Sequence, residues 1–139
     1  MKVFAFCCTL MLVLAPWPAH AATNGQDLYK QINAKRIRQG LQPLTRSTRL
    51  SAVALRRAQL MGSMQVLGHT IPGQTSTWAM VRETKYTFTN TGEILGANIS
   101  DSKKLIRTWE LSTTHRPILY SKKFNQVGVA RFTQKNGKK

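Results

Sequence analysis

Both cysteines of this chain, Cys7 and Cys8, lie in an apolar run at residues 3–15, and no cysteine follows them. A fold formed by the later residues therefore has no disulfide available and depends on the burial of apolar side chains. One domain is expected, because a chain of 139 residues is close to the usual size of a single domain, about 100–150 residues.

Residues 1–21 have the pattern of a secretory signal peptide. Lys2 precedes the apolar run, Pro16 and Pro18 interrupt it, and the small-residue sequence AHA follows at 19–21. The run is too short to span a bilayer, which takes about 20 apolar residues. We therefore expect a secreted protein, periplasmic or extracellular, with no transmembrane segment in the mature chain. The alternative is an uncleaved anchor, because Lys2 alone forms a short positive region.

Apolar spacing predicts three amphipathic helices in the remainder of the chain. They are expected at residues 26–39, from Ser47 to Gly68, and from Ser100 or Asp101 through Trp109. Serine and aspartate are favoured at helix N-termini because their side chains accept backbone N–H bonds. A short helix is predicted at residues 78–83. In the second helix Arg57 recurs with the apolar positions, while Arg49 and Arg56 are left for solvent, and its arginines are interpreted as a solvated face.

Two segments alternate in the manner of strands, residues 86–88 and 124–133. Asn136 and Gly137 then form a typical hairpin turn, after which only two lysines follow. We expect a folded domain at residues 22–134 and a basic tail at 135–139. The returning strand of the hairpin is absent, so the tail is either disordered or the remainder of a truncated hairpin.

Positive charge dominates the composition. The chain has 21 Lys and Arg against 5 Asp and Glu, a formal net charge of +16. Such an excess favours association with anionic partners rather than any particular fold. Outside the cytoplasm those partners are anionic envelope polymers or lipids, and a specific nucleic acid is not expected. A solvated basic surface without a specific partner is the alternative.

Several motifs occur in a fixed order along the chain. The first are Asn33 with Arg36 or Arg38, then GLQPL at 40–44. Next come Ala54, Arg57 and Ala58, followed by His69. The last are Glu93, which lies 16 positions before Trp109, and Ser112 with His115 and Arg116. In this order they resemble the bacterial SCP-like extracellular domains of the CAP superfamily, which also includes cysteine-rich secretory, antigen and pathogenesis-related proteins. A protein partner, or a lipid or glycan ligand, is common in that superfamily.

The resemblance implies an α+β fold, a three-layer α/β/α sandwich of the CAP type, with a C-terminal edge strand apparently missing. That strand is either truncated or supplied by a partner. The family sequence SPGH is replaced here by residues 112–115, STTH. Loss of its proline and glycine predicts that the preceding helix continues further toward His115.

The resemblance also implies a cleft lined by His69, Glu93, Ser112 and His115, with Ser112 in a position that eukaryotic relatives fill with glutamate. His69, Glu93 and His115 would supply two imidazoles and a carboxylate for a divalent metal such as zinc. Arg116 is expected either to contact an anionic group near the cleft or to pair with Glu93.

Three kinds of chemistry remain open for these residues. They are a metal site, a nucleophilic pair of Ser112 with His115, and a polar network in which both histidines bond Glu93 without reacting. The function expected is a secreted binding or interaction module with a lipid, glycan or protein ligand in the cleft. The alternatives are a metal-dependent hydrolase that uses the same cleft and a cationic antimicrobial or toxin-like factor.

Overall fold

The computed structural model describes residues 22–133, with side chains described from Gly25 onward. The predicted signal peptide and the Asn136–Gly137 turn lie outside this range. No helix within residues 22–133 has both the length and the apolar character needed to cross a membrane.

Residues 22–133 form five helices and one pair of very short strands. In chain order these are α1 (Ala22–Arg38), β1 (Thr45–Arg46), α2 (Thr48–Met64), α3 (Thr77–Glu83), α4 (Ser102–Leu111), α5 (His115–Leu119) and β2 (Gln126–Val127). The two strands pair in parallel, with Thr45 opposite Gln126 and Arg46 opposite Val127.

The predicted helices are confirmed, and two of them begin at the predicted caps. The Ser47 hydroxyl accepts the N–H of Leu50 at 3.3 Å, and the Asp101 carboxylate accepts the N–H of Lys104 at 2.9 Å. Each such cap stabilises its helix by about 1 kcal/mol. Helix α2 ends earlier than Gly68, because Gln65 adopts a left-handed conformation with φ of 54°.

The predicted strand at residues 86–88 is wrong, and only Gln126–Val127 of the segment 124–133 is a strand. Alternation predicts an extended backbone, but a strand also requires a neighbour that pairs with its N–H and C=O groups. Within residues 22–133, residues 86–88 have no such backbone partner. Their link to β2 is a side-chain bond, in which the Tyr86 hydroxyl donates to Gln126 at 3.1 Å.

Two apolar clusters hold the helices. The larger joins α1, α4 and α5 and consists of Leu28, Ile32, Leu44, Leu105, Ile106, Trp109, Leu119 and Val129. The smaller joins α2 to α3 through Val53, Met80 and Val81. Residues 22–133 thus form two helical layers, each with its own buried side chains.

The segment around β2 runs between these layers. On one side, a Cβ added to Gly25 of α1 would lie 3.1 Å from the carbonyl oxygen of Val129. On the other side, Gly128 packs so closely on the backbone of Leu50 in α2 that a Cβ at Gly128 would have no space. The order is helix, strand, helix, so the predicted α+β sandwich is confirmed.

Candidate functional site

Glu93 lies in the irregular segment between α3 and α4, and its side chain is 13% exposed. The preceding Gly92 holds this segment against α5 and the following loop. A Cβ at Gly92 would lie 2.7 Å from Ile118 and 2.9 Å from Phe124. The absence of a side chain at position 92 therefore lets the backbone come close enough to place the Glu93 carboxylate on the α2 and α3 side.

Three side chains from different segments meet at this carboxylate. The Thr77 hydroxyl donates to Oε1 at 2.9 Å, and His69 Nδ1 donates to Oε2 at 2.7 Å. Arg57 Nε lies 3.6 Å from Oε1. Both carboxylate oxygens are thus engaged, and the charge of Glu93 is balanced by the guanidinium.

Arg57 is the most buried member of this group, with only 2% of its side chain exposed. Its NH2 donates to the carbonyl oxygens of Gly68 at 2.9 Å and His69 at 3.2 Å. Its Nε is buried without a hydrogen-bond partner. One arginine therefore holds both the Glu93 carboxylate and the backbone of the loop that carries His69.

The spacing that groups Arg57 with the apolar positions of α2 is confirmed, because Arg57 is buried like Val53. Arg57 follows Val53 by four positions and so shares its helix face. Arg49 and Arg56 are exposed, as expected, and the description of the α2 arginines as a solvated face applies to these two alone.

His69 is the accessible end of the site, with 57% of its side chain exposed. A carboxylate only accepts hydrogen bonds, so Nδ1 carries the proton that is donated to Glu93. The other ring nitrogen, Nε2, is then the one available to a ligand or to solvent. The site consequently presents one oriented imidazole above a buried charge pair.

Ser112 and His115 belong to a separate turn. Helix α4 ends at Leu111, so the predicted extension of this helix toward His115 is wrong, and His115 begins α5 instead. The Ser112 hydroxyl accepts the backbone N–H of His115 at 3.3 Å and bonds the Thr114 hydroxyl at 3.0 Å. Ser112 thereby shapes the turn and makes no hydrogen bond with the His115 imidazole, which has no such partner among residues 22–133.

The donors do not form a metal site as they stand. Within the described part of the chain, no three His, Cys, Asp or Glu side chains are grouped so that they could hold a metal ion. His69 and Glu93 are bonded to each other at 2.7 Å. The zinc ligand set of His69, Glu93 and His115 stays a prediction, and no chemical step is assigned to a metal.

Arg116 is exposed on α5 and does not pair with Glu93, whose ion pairs are with Arg57 and His69. It borders an open depression of about 370 Å³ that is lined by Gln39, Leu41, Arg116, Pro117 and Tyr120. The expected pairing with Glu93 is therefore wrong, and contact with an anionic group stays a prediction.

Glu110 lies in a different cluster, which joins three helices. Its carboxylate accepts from Lys35 of α1 at 3.0 Å and from the Tyr120 hydroxyl beyond α5. The hydrogen bond from Tyr120 lowers the pKa of Glu110, with a further contribution from Lys35. Burial, and then the bond to Glu110, raise the pKa of Tyr120 from 10.0 to about 12.

We expect Tyr120→Phe to reduce stability by about 1–2 kcal/mol at neutral pH, the usual value for a bond to a charged group. Because the pKa of Tyr120 is raised on folding, its contribution is complete below pH 10 and is lost as pH approaches 12. Because the pKa of Glu110 is lowered, its contribution is lost in acid.

The measurement is urea unfolding of both proteins over a range of pH. The difference in free energy of unfolding should be constant near neutrality and should shrink above pH 10. A difference that stays constant through the alkaline range would contradict the assignment.

Comparison with known proteins identifies relatives. The model of the CAP family, described as the cysteine-rich secretory protein family, matches residues 29–139. The uncharacterised protein YkwD of Bacillus subtilis is 24% identical over 112 residues, which cover 81% of this chain and 44% of YkwD. The chain therefore spans less than half the length of that relative.

Two solved structures share the fold. An extracellular protein containing an SCP domain from Bacillus anthracis matches with a TM-score of 0.75 and 24% identity, covering 80% of this chain and 37% of that one. An outer surface protein from Borrelia burgdorferi matches with a TM-score of 0.71 and 24% identity, covering 78% and 83% respectively.

Proposed function

This chain belongs to the CAP family of cysteine-rich secretory proteins, and from that premise we propose that it is a binding module acting at or outside the cell envelope on an anionic component. The predicted signal peptide supports this location. So do the two similar structures, one of an extracellular protein and one of an outer surface protein.

The observation that carries the proposal is the distribution of the acidic groups. Glu83, Glu93 and Glu110 are each paired with a cation, and Asp101 caps α4. Asp27 is exposed and has no such partner among the described residues. Most of the five carboxylates are thus engaged within the protein, and most of the 21 Lys and Arg side chains have no carboxylate left to pair with. The excess of positive charge produces a positive field that attracts an anionic ligand.

The His69 site supports binding rather than hydrolysis. A general base or a metal site requires a group whose reactive atom faces a substrate beside a second functional group. Here both oxygens of the Glu93 carboxylate are already engaged by Thr77, Arg57 and His69. We assign this network the role of fixing the loop shape and presenting one imidazole to a ligand.

The test is retention of the purified protein on immobilised lipopolysaccharide and teichoic acid, with neutral dextran as the matched control. Retention on the polyanions should fall steeply as salt rises from about 0.05 M to about 0.5 M, because the Debye length shortens. If retention on the polyanions does not change with salt concentration, or if it equals retention on dextran, the proposal is refuted.

A further inference from the structure

Helices α1 and α4 lie side by side and leave their outer faces exposed. Both bury their inner faces in the larger apolar cluster. The half-buried ion pair of Lys35 with Glu110, at 3.0 Å, connects the two helices. The two outer faces therefore belong to adjacent helices and both point away from the same cluster.

On α4 the outer face is a stripe of exposed residues. Lys103, Arg107 and Leu111 are four positions apart, so they share one helix face. Leu111 is 68% exposed. A large aliphatic side chain is thus presented to solvent directly beyond two cations.

On α1 the outer face has the same composition. Lys30, Ile37 and Arg38 are exposed and are seven and eight positions apart, which again places them on one side of the helix. Ile37 is 59% exposed. Within residues 22–133, Leu111 and Ile37 are the two most exposed large apolar residues.

The two aliphatic residues lie at the same end of the two outer faces. Leu111 follows Glu110 directly, and Ile37 is two residues beyond Lys35, so along the helix axes both lie within one turn of the ion pair that joins the helices. The four cations around them, Lys30, Arg38, Lys103 and Arg107, have no ion pair with any described acidic residue.

We propose that this α1–α4 face, made of Lys30, Ile37, Arg38, Lys103, Arg107 and Leu111, adsorbs to the surface of an anionic lipid bilayer. The cations meet lipid phosphates, and the two aliphatic side chains enter the boundary between headgroups and acyl chains. A soluble polyanion would attract the cations equally, but it has no apolar region in which the exposed isoleucine and leucine side chains could be buried. The proposal rests on the proposed function and names its partner and its surface.

The experiment is cosedimentation with vesicles of phosphatidylcholine alone or mixed with phosphatidylglycerol. The Arg38→Gln, Arg107→Gln double variant should bind the mixed vesicles about 30-fold more weakly, since each cation near an anionic membrane contributes about fivefold. Its control is Arg82→Gln, Lys85→Gln, which removes the same charge from exposed positions at the end of α3 and should weaken binding less than about threefold.

A second pair of variants tests insertion. Leu111→Ser should weaken binding about tenfold, roughly half the value of complete leucine burial. Leu67→Ser, at a position 53% exposed in the loop before His69, should leave binding unchanged. All variants change exposed side chains, so thermal unfolding should remain close to that of the parent protein.

The outcomes separate this inference from the function on which it rests. If both charge variants weaken vesicle binding equally, the α1–α4 face is not the site, although salt-sensitive retention on polyanions would still stand. If Leu111→Ser and Leu67→Ser bind the mixed vesicles equally well, the aliphatic side chains do not insert and the bilayer assignment is wrong. If the parent protein binds neither the mixed vesicles nor the immobilised polyanions, the proposed function itself is wrong.

Discussion

Arg57→Met is expected to lower the free energy of unfolding by about 3 kcal/mol, because it removes one partner of a buried ion pair. The substitution keeps much of the side-chain volume but leaves the carbonyl oxygens of Gly68 and His69 without their donor. It also leaves Glu93 with an uncompensated charge at a position that is only 13% exposed. Urea unfolding, followed by circular dichroism, measures the loss.

The matched control is Arg56→Met, the same change one residue earlier in α2. Arg56 pairs with Glu83 at 2.8 Å, but their side chains are 57% and 53% exposed. An exposed pair of this kind stabilises by less than about 1 kcal/mol. If both variants lose the same stability, Arg57 does not hold the His69 loop in the manner described.

Replacing both members of the pair separates charge from packing. In Arg57→Met, Glu93→Gln the uncompensated carboxylate is gone, so part of the lost stability should return. A double variant as unstable as the sum of the two single variants would indicate that Arg57 and Glu93 act independently.

Arg36→Met is the second substitution with a large expected effect, again about 3 kcal/mol. Arg36 is 1% exposed, and burial lowers the pKa of its guanidinium. It donates to the carbonyl oxygens of Gln42 at 3.1 Å, Leu119 at 2.9 Å and Ser121 at 3.1 Å. Unpaired carbonyls at a buried site cost about 1–3 kcal/mol each, which solvent entry reduces in part.

Arg38→Met is its control, since Arg38 is exposed on the same turn of α1. A surface change of this kind should shift stability by no more than about 0.5 kcal/mol. Equal losses for the two variants would show that the three carbonyl contacts of Arg36 do not tie α1 to the chain around α5.

The helices were predictable because their determinants are local. Apolar spacing located α1, α2 and α4, and the capping groups Ser47 and Asp101 marked two of their starts. The break before His115 was missed, although Pro117 fits best in the first turn of a helix. The Ser112 hydroxyl, which accepts the His115 N–H, lies in the turn between α4 and α5.

The strands were less predictable because pairing is not local. Residues 86–88 alternate as a strand would, yet within the described residues no other backbone hydrogen-bonds to theirs. The pairing of β1 with β2 joins residues about 80 positions apart. The spacing of apolar residues within a segment does not predict which other extended segment will pair with it.

Some residues of the candidate site were identified from the sequence and others only from the structure. The resemblance identified His69 and Glu93, and they meet at 2.7 Å. It placed Ser112 and His115 in the same cleft, where they have no hydrogen bond with that pair. Arg57 and Thr77, which complete the surroundings of Glu93, were not assigned to the site from the sequence.

The sequence by itself determined the family, the helical segments and the excess of positive charge, because each depends on residue type and short-range spacing. Only the tertiary structure decided which oxygens each arginine meets. Arg36 and Arg38, like Arg56 and Arg57, are the same residue type within one helical turn. Arg36 and Arg57 meet carbonyl and carboxylate oxygens inside the protein, whereas the carboxylate that Arg56 meets is at the surface. A cation stays buried only where such interior partners meet it.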